Sequence, residues 1–90
     1  MRKLPKNGIR ESDIKKMIEN KELVNVTVVQ ETMFSDHFRL FVDNGTRKLE
    51  LYTQRAKPKL FANLSTVYKY CQDVGISQYM TIVEQNKDGL

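Results

Sequence analysis

The sequence predicts an α+β domain with the element order α-β-β-β-α-β. Three observations carry that reading. Residues 23–30 alternate with a valine-rich face, Asn44-Gly45 sits between two alternating apolar segments, and Asn63 and Gly75 bracket an apolar stripe at helical spacing. The economical arrangement is a three-stranded antiparallel meander with a helix packed on one face. The fourth strand then joins an edge or lies across a dimer interface.

Residues 1–11 read as a flexible basic arm, because Pro5, Asn7 and Gly8 interrupt regular structure and little there calls for burial. Ser12 is the expected N-cap of a two-turn helix ending near Asn20. Asp13 in its first turn suits the helix dipole, and Ile14, Met17 and Ile18 form its apolar stripe. In the first strand Val24, Val26 and Val28 point one way and Asn25, Thr27 and Val29 the other. The second strand spans residues 37–43. Phe38, Leu40 and Val42 make one of its faces; His37, Arg39, Phe41 and Asp43 make the other.

Asn-Gly is the dipeptide best suited to a type I′ hairpin turn, whose two central residues both need positive φ. A two-residue turn at Asn44-Gly45 sets Asp43 against Thr46, Leu40 against Leu49 and Phe38 against Leu51. The other face then pairs Arg39 with Glu50, Phe41 with Lys48 and His37 with Tyr52. Residues 55–60 are the expected loop, with Pro58 blocking a continued ladder. Asn63 caps the second helix, Leu64, Val67, Tyr68, Cys71 and Val74 form its stripe, and Gly75 ends it. Residues 79–83 form the last strand. The domain therefore covers residues 12–85, with a frayed tail over 86–90.

Ninety residues make one domain, which buries only roughly 60–65% of its unfolded surface. The net charge of +4 is unevenly spread: residues 1–21 carry +4, 22–46 carry −3, 47–69 carry +5 and 70–90 carry −2. Two positive blocks of this kind favour an anionic partner. Cys71 has no second cysteine to pair with, which fits a reducing compartment. No apolar run approaches the ~18 residues of a membrane span. The charged N-terminus has no following apolar stretch either, so no signal peptide is expected. Cytoplasmic location is the expectation, with no membrane partner.

Catalytic chemistry finds little footing. His37 and Cys71 are the single histidine and cysteine, and they fall on different elements. Cys71 belongs to an apolar stripe and reads as a core residue. One histidine and one cysteine leave no structural zinc site within a chain unless carboxylates contribute. Neither an enzyme nor a cofactor or metal is expected. The chemistry-bearing residues are instead Arg39, Phe41, Lys48 and Tyr52 on one sheet face. There, aromatic rings among cations can stack bases and neutralise phosphates. Arg55, Lys57 and Lys59 in the loop are the expected phosphate contacts.

Several family likenesses follow from these elements. The α-β-β-β-α order resembles double-stranded-RNA-binding domains, except that the second helix opens Asn63-Leu64-Ser65-Thr66 without their lysine cluster. Residues 38–74 also resemble the arm-binding domains of tyrosine recombinases. Thr53, Arg55, Lys59, Phe61, Leu64, Gly75 and Ile76 resemble a pattern of small ParC-like accessory proteins of plasmid partition loci. Those proteins have a strand ending in Thr-x-Arg, then a basic loop, a Phe, a helix and a closing Gly-Ile. The likeness covers the C-terminal half. It departs at Ala56 and Lys57, where glycine- and arginine-rich residues are expected. It implies a bacterial plasmid or mobile-element origin and an accessory role in DNA maintenance. The functional expectation is a non-catalytic, nucleic-acid-associated protein. The alternative is a homodimeric adaptor or inhibitor that binds a protein partner through an exposed strand edge.

Overall fold

The computed structural model describes residues 3–30 and 37–83. In chain order the elements are β1 (Gly8–Ile9), α1 (Glu11–Glu19), β2 (Asn25–Gln30), β3 (Phe38–Asp43), β4 (Lys48–Leu51), β5 (Leu60–Phe61), α2 (Leu64–Val74) and β6 (Met80–Val83). The α+β class holds, with two helices and a six-stranded sheet among the described residues. The sheet is mixed rather than a pure meander. Its order is β1-β4-β3-β2-β6, with β5 also paired to β3. The antiparallel trio β2-β3-β4 forms its centre, while β1 joins β4 and β6 joins β2 in parallel.

Parallel neighbours require crossovers that a meander lacks. Residues 10–24 carry α1 between β1 and β2, and residues 62–79 carry α2 between β5 and β6. β3 alone runs against all the other strands. Both helices pack on the same sheet face. Ile14 and Met17 of α1 and Val67, Cys71 and Val74 of α2 join Val26, Val28, Leu40, Val42, Leu49 and Leu51 in one buried cluster. Phe61 closes it, meeting Tyr70 edge to face with ring centroids 5.2 Å apart. The α2 stripe is thus rotated from the expected one: Leu64 and Tyr68 are exposed, and Tyr70 packs against the core.

The N-terminal stretch is more ordered than a flexible arm, since Gly8 and Ile9 form β1 and Ile9 is buried. Met1, Arg2 and the tail over 86–90 lie outside the described residues. The first helix is capped at Arg10 rather than Ser12. Asp13 Oδ2 accepts from the Arg10 backbone N–H at 3.4 Å. Asn63 does cap α2, accepting from Thr66 N–H at 2.9 Å. Gly75 ends that helix in the left-handed region at φ 100°.

The β3–β4 register differs from expectation by two residues. Phe41 pairs with Glu50, Val42 with Leu49 and Asp43 with Lys48. The cause is the turn. Asn44 has no positive φ, and the loop takes four residues, with Asn44 N–H bonded to the Arg47 carbonyl at 3.2 Å. Asp43 Oδ1 accepts from Gly45 N–H, and Asn44 Oδ1 accepts from Thr46 and Arg47 N–H. These side-chain acceptors build Asx turns, which compete with the tight I′ turn. A shift of two keeps each side chain on its face, so the predicted inward and outward sets survive.

Candidate functional site

One face of the sheet carries both helices. Alternation along the strands assigns the other face to Thr27 and Val29 of β2, Arg39 and Phe41 of β3, Lys48 and Glu50 of β4, and Met80 and Ile82 of β6. No helix among the described residues covers it. Four expected site residues, Arg39, Phe41, Lys48 and Tyr52, fall on this face.

Phe41 lies at its centre, half-buried. The Lys48 ammonium is 5.2 Å and the Arg39 guanidinium 5.6 Å from its ring centroid. Each contact is of the cation–π type, with about 0.5–1 kcal/mol typical at an exposed site. Arg39 also forks onto Glu50, its Nε and Nη2 donating to the two carboxylate oxygens. That fork leaves Glu50 only 7% exposed on a face that no helix covers. The sequence pairing of Arg39 with Glu50 therefore survives as a diagonal contact across the shifted register. Glu50 compensates the Arg39 charge, so Lys48 contributes the additional positive charge on this part of the face. A depression of about 180 Å³ opens beside Phe41 and Lys48, bounded by Thr27 and Met80.

The basic loop is an excursion within a strand rather than a simple link to the helix. β4 and β5 lie along the same side of β3, because β2 occupies the other side over its whole length. Continuing the β4 register would set Tyr52 against Arg39, but Leu60 takes that place. Tyr52 instead bridges to Pro58, so the predicted Tyr52–His37 pair does not form; His37 is exposed and precedes β3.

Residues 53–57 close tightly. Thr53 N–H donates to the Lys57 carbonyl at 2.7 Å, and Ala56 N–H donates to the Thr53 carbonyl at 3.0 Å. Thr53 Oγ1 accepts from Arg55 and Lys57 N–H. Ala56 sits at φ 60°, the left-handed position where such a turn favours glycine. Arg55 and Lys57 are exposed on this excursion. Lys59 has returned to the sheet, with its Nζ 5.6 Å from the Phe61 centroid. Phe61 belongs to the core, so Lys59 leans toward the helix layer and away from Phe41. The seven expected residues therefore form two groups, four on the uncovered face and three along the excursion and its return.

Sequence reasoning paired Glu50 with Arg39 but did not count Glu50 among the site residues, although its opposite charge on the same alternation was the available signal. It also missed a groove of about 560 Å³ between Ile18, Lys21, Leu23, Val24, Tyr79 and Met80, in which Lys21 is the single charged lining residue among the described residues. That groove depends on how residues 75–80 cross from α2 to β6, which no local pattern encodes. Burial raises the Cys71 thiol pKa, as suits a core cysteine. Among the described residues, no group of three or more His, Cys, Asp or Glu side chains is arranged to hold a metal, and no helix is long and apolar enough to cross a membrane.

Comparison with protein-family models, curated proteins and solved structures found no match to the chain. The ParC-like resemblance thus rests on the residues quoted for it.

Proposed function

We propose that the protein is a non-catalytic accessory protein that associates with nucleic acid through the uncovered sheet face and the basic excursion. The ParC-like pattern points to DNA maintenance or partition on a bacterial plasmid or mobile element, in the cytoplasm. One observation carries the reading. A sheet face free of both helices holds Phe41 against two cations, and a hydrogen-bonded excursion at its margin exposes Arg55 and Lys57. Aromatic rings offer bases a stacking surface, and cations nearby neutralise the phosphates that connect those bases. In this role Phe41 and Tyr52 stack, Lys48 and Arg39 flank them, and Arg55, Lys57 and Lys59 meet the backbone.

The test is fluorescence anisotropy with random single- and double-stranded DNA at ~50 and ~200 mM salt, the range over which phosphate contacts weaken steeply. The triple change of Arg55, Lys57 and Lys59 to Ala should weaken binding at low salt. It should also lower the log–log salt slope by about one for each phosphate that is no longer neutralised. Far-UV circular dichroism and the melting temperature should stay near wild type, because the excursion lies outside the core. Absent binding at the lower salt overturns the proposal. Binding that the triple variant leaves unchanged overturns the assignment of the excursion.

A further inference from the structure

The sheet ends on two unlike edges. β1 is two residues long, entered through the Gly8-to-Pro5 backbone turn and left at Arg10. β6 offers four residues, paired to β2 along one side without a bulge and to no strand of the described residues along the other. Natural sheets blunt such an edge with charge, proline, a bulge or brevity. β6 has no bulge, and residues 77–83 contain neither a charged residue nor a proline. Met80 is 65% and Ile82 40% exposed, both on the uncovered face beside Thr27 and Val29.

We infer that β6 is a homodimerisation edge, to which a second copy adds its own β6 antiparallel about a two-fold axis at Thr81. This goes beyond the nucleic-acid reading and does not depend on it. A closed dimer places the same strand on both sides of its axis, so the strand must complement itself. Directly opposed residues of an antiparallel pair share a face, which restricts the axis to a residue rather than a gap between residues. With the axis at Thr81, Met80 faces the partner's Ile82 and Ile82 faces the partner's Met80, two apolar pairs on one face. Thr81 meets the partner's Thr81 on the other, and a threonine pair is itself a favourable cross-strand contact.

An axis at Met80 instead opposes Ile82 to the partner's Gln78. An axis at Ile82 leaves Met80 opposite no residue of the described strand. Of the three, only the Thr81 register opposes both Met80 and Ile82 to apolar residues of the described strand. Each chain carries +4, yet the uncharged segment 77–83 brings no like charges together along the pairing. These features single out a second copy as the occupant, because a foreign strand would not require the sequence to match itself. The pairing also joins the two uncovered faces into one surface.

Sedimentation equilibrium of the full chain over a concentration series, at ~50 and ~500 mM salt, tests the inference; apolar pairing should survive the screening that weakens exposed ionic contacts. A dimer that persists at high salt is expected. Met80→Lys and Ile82→Glu should each weaken association about tenfold, since each removes both symmetric apolar pairs. The double variant sets a lysine against a glutamate at both positions and should associate more tightly than either single variant. Both side chains are exposed, so circular dichroism should remain native. A wild-type monomer at every concentration overturns the inference. Single variants that dimerise like wild type overturn the edge, and a double variant weaker than both singles overturns the register. None of these results bears on DNA binding by a monomer.

Discussion

The two crossovers, β1-α1-β2 and β5-α2-β6, do the same architectural work with different local encoding. Each lifts a helix onto the same sheet face and returns to a strand parallel to the one it left. The second follows the local rules closely: Asn63 supplies a side-chain cap, and Gly75 takes the left-handed residue that ends α2. Ile76 N–H then reaches the Cys71 carbonyl at 2.8 Å, the long-range bond of a Schellman ending. The first crossover reaches the same ending with poorer residues. Arg10 stands at the N-cap, and Lys21 takes the left-handed position at φ 57°. Glu22 N–H still reaches the Met17 carbonyl at 2.8 Å. The difference teaches that the tertiary frame dictates the ending, and that local sequence only lowers or raises its energy. In the first crossover Ile14 and Met17, both buried, supply the constraint that capping chemistry supplies in the second.

Removing the shared anchor should have the largest effect. Ile14 and Val67 are fully buried, one on each helix. Ile14→Ala should lose about 2–5 kcal/mol, with Val67→Ala somewhat below it, in urea melts. An Ile14→Ala loss under ~1 kcal/mol would mean that the first crossover is not held by packing.

The helix endings come next, with opposite signs. Gly75→Ala should destabilise by about 1–2 kcal/mol, because a side chain is strained at φ 100°. Space is not the obstacle, since an added Cβ would lie 3.9 Å from Ile18. Lys21→Gly should stabilise by about 0.5–1 kcal/mol, relieving the same strain. Equal signs for the two changes would break the equivalence of the two endings.

The smallest effect at neutral pH concerns Tyr70. Burial, and then the Glu11 carboxylate, raise its phenol pKa well above the ordinary value. Its hydroxyl is buried without a hydrogen-bond partner among the described residues. The fold therefore holds the neutral phenol, and the unfolded chain releases its proton first. That contribution is complete below pH ~10 and fades as the pH rises further. Tyr70→Phe should lie within ~1 kcal/mol of wild type at pH 7. It should lose less stability than wild type between pH 9 and 11. Parallel losses in the two proteins would remove Tyr70 as the source.

What the sequence made legible follows the same divide. Strong alternation in β2 and β3, and the capped, glycine-ended α2, were readable because a few adjacent residues encode each. β1 and β5 were not, since a two-residue strand has no periodicity and exists only because β4 and β3 offer it a ladder. The parallel edges escaped notice for a related reason: they depend on where each crossover lands. The hairpin register failed at Asn44-Gly45, where side-chain acceptors outcompeted the expected turn. Of the site, the facing of Arg39, Phe41, Lys48 and Tyr52 was legible from alternation. The separation of Lys59 from them was not, because it depends on the excursion returning beside Phe61.

That excursion has a consequence for how the chain can change over time. It inserts eight residues between two halves of what the sheet treats as a single strand, since Leu60 occupies the place of Tyr52. Eight is even, so inside and outside resume in phase: Leu60 is exposed and Phe61 is buried. An odd length would turn Phe61 outward and open the core. The excursion can therefore drift in length by steps of two, and in composition at exposed positions such as Arg55 and Lys57, while β3 keeps a continuous neighbour. The stretch that carries Arg55, Lys57 and Lys59 is thus a replaceable cassette, whose length and charge can be rewritten without renegotiating the fold.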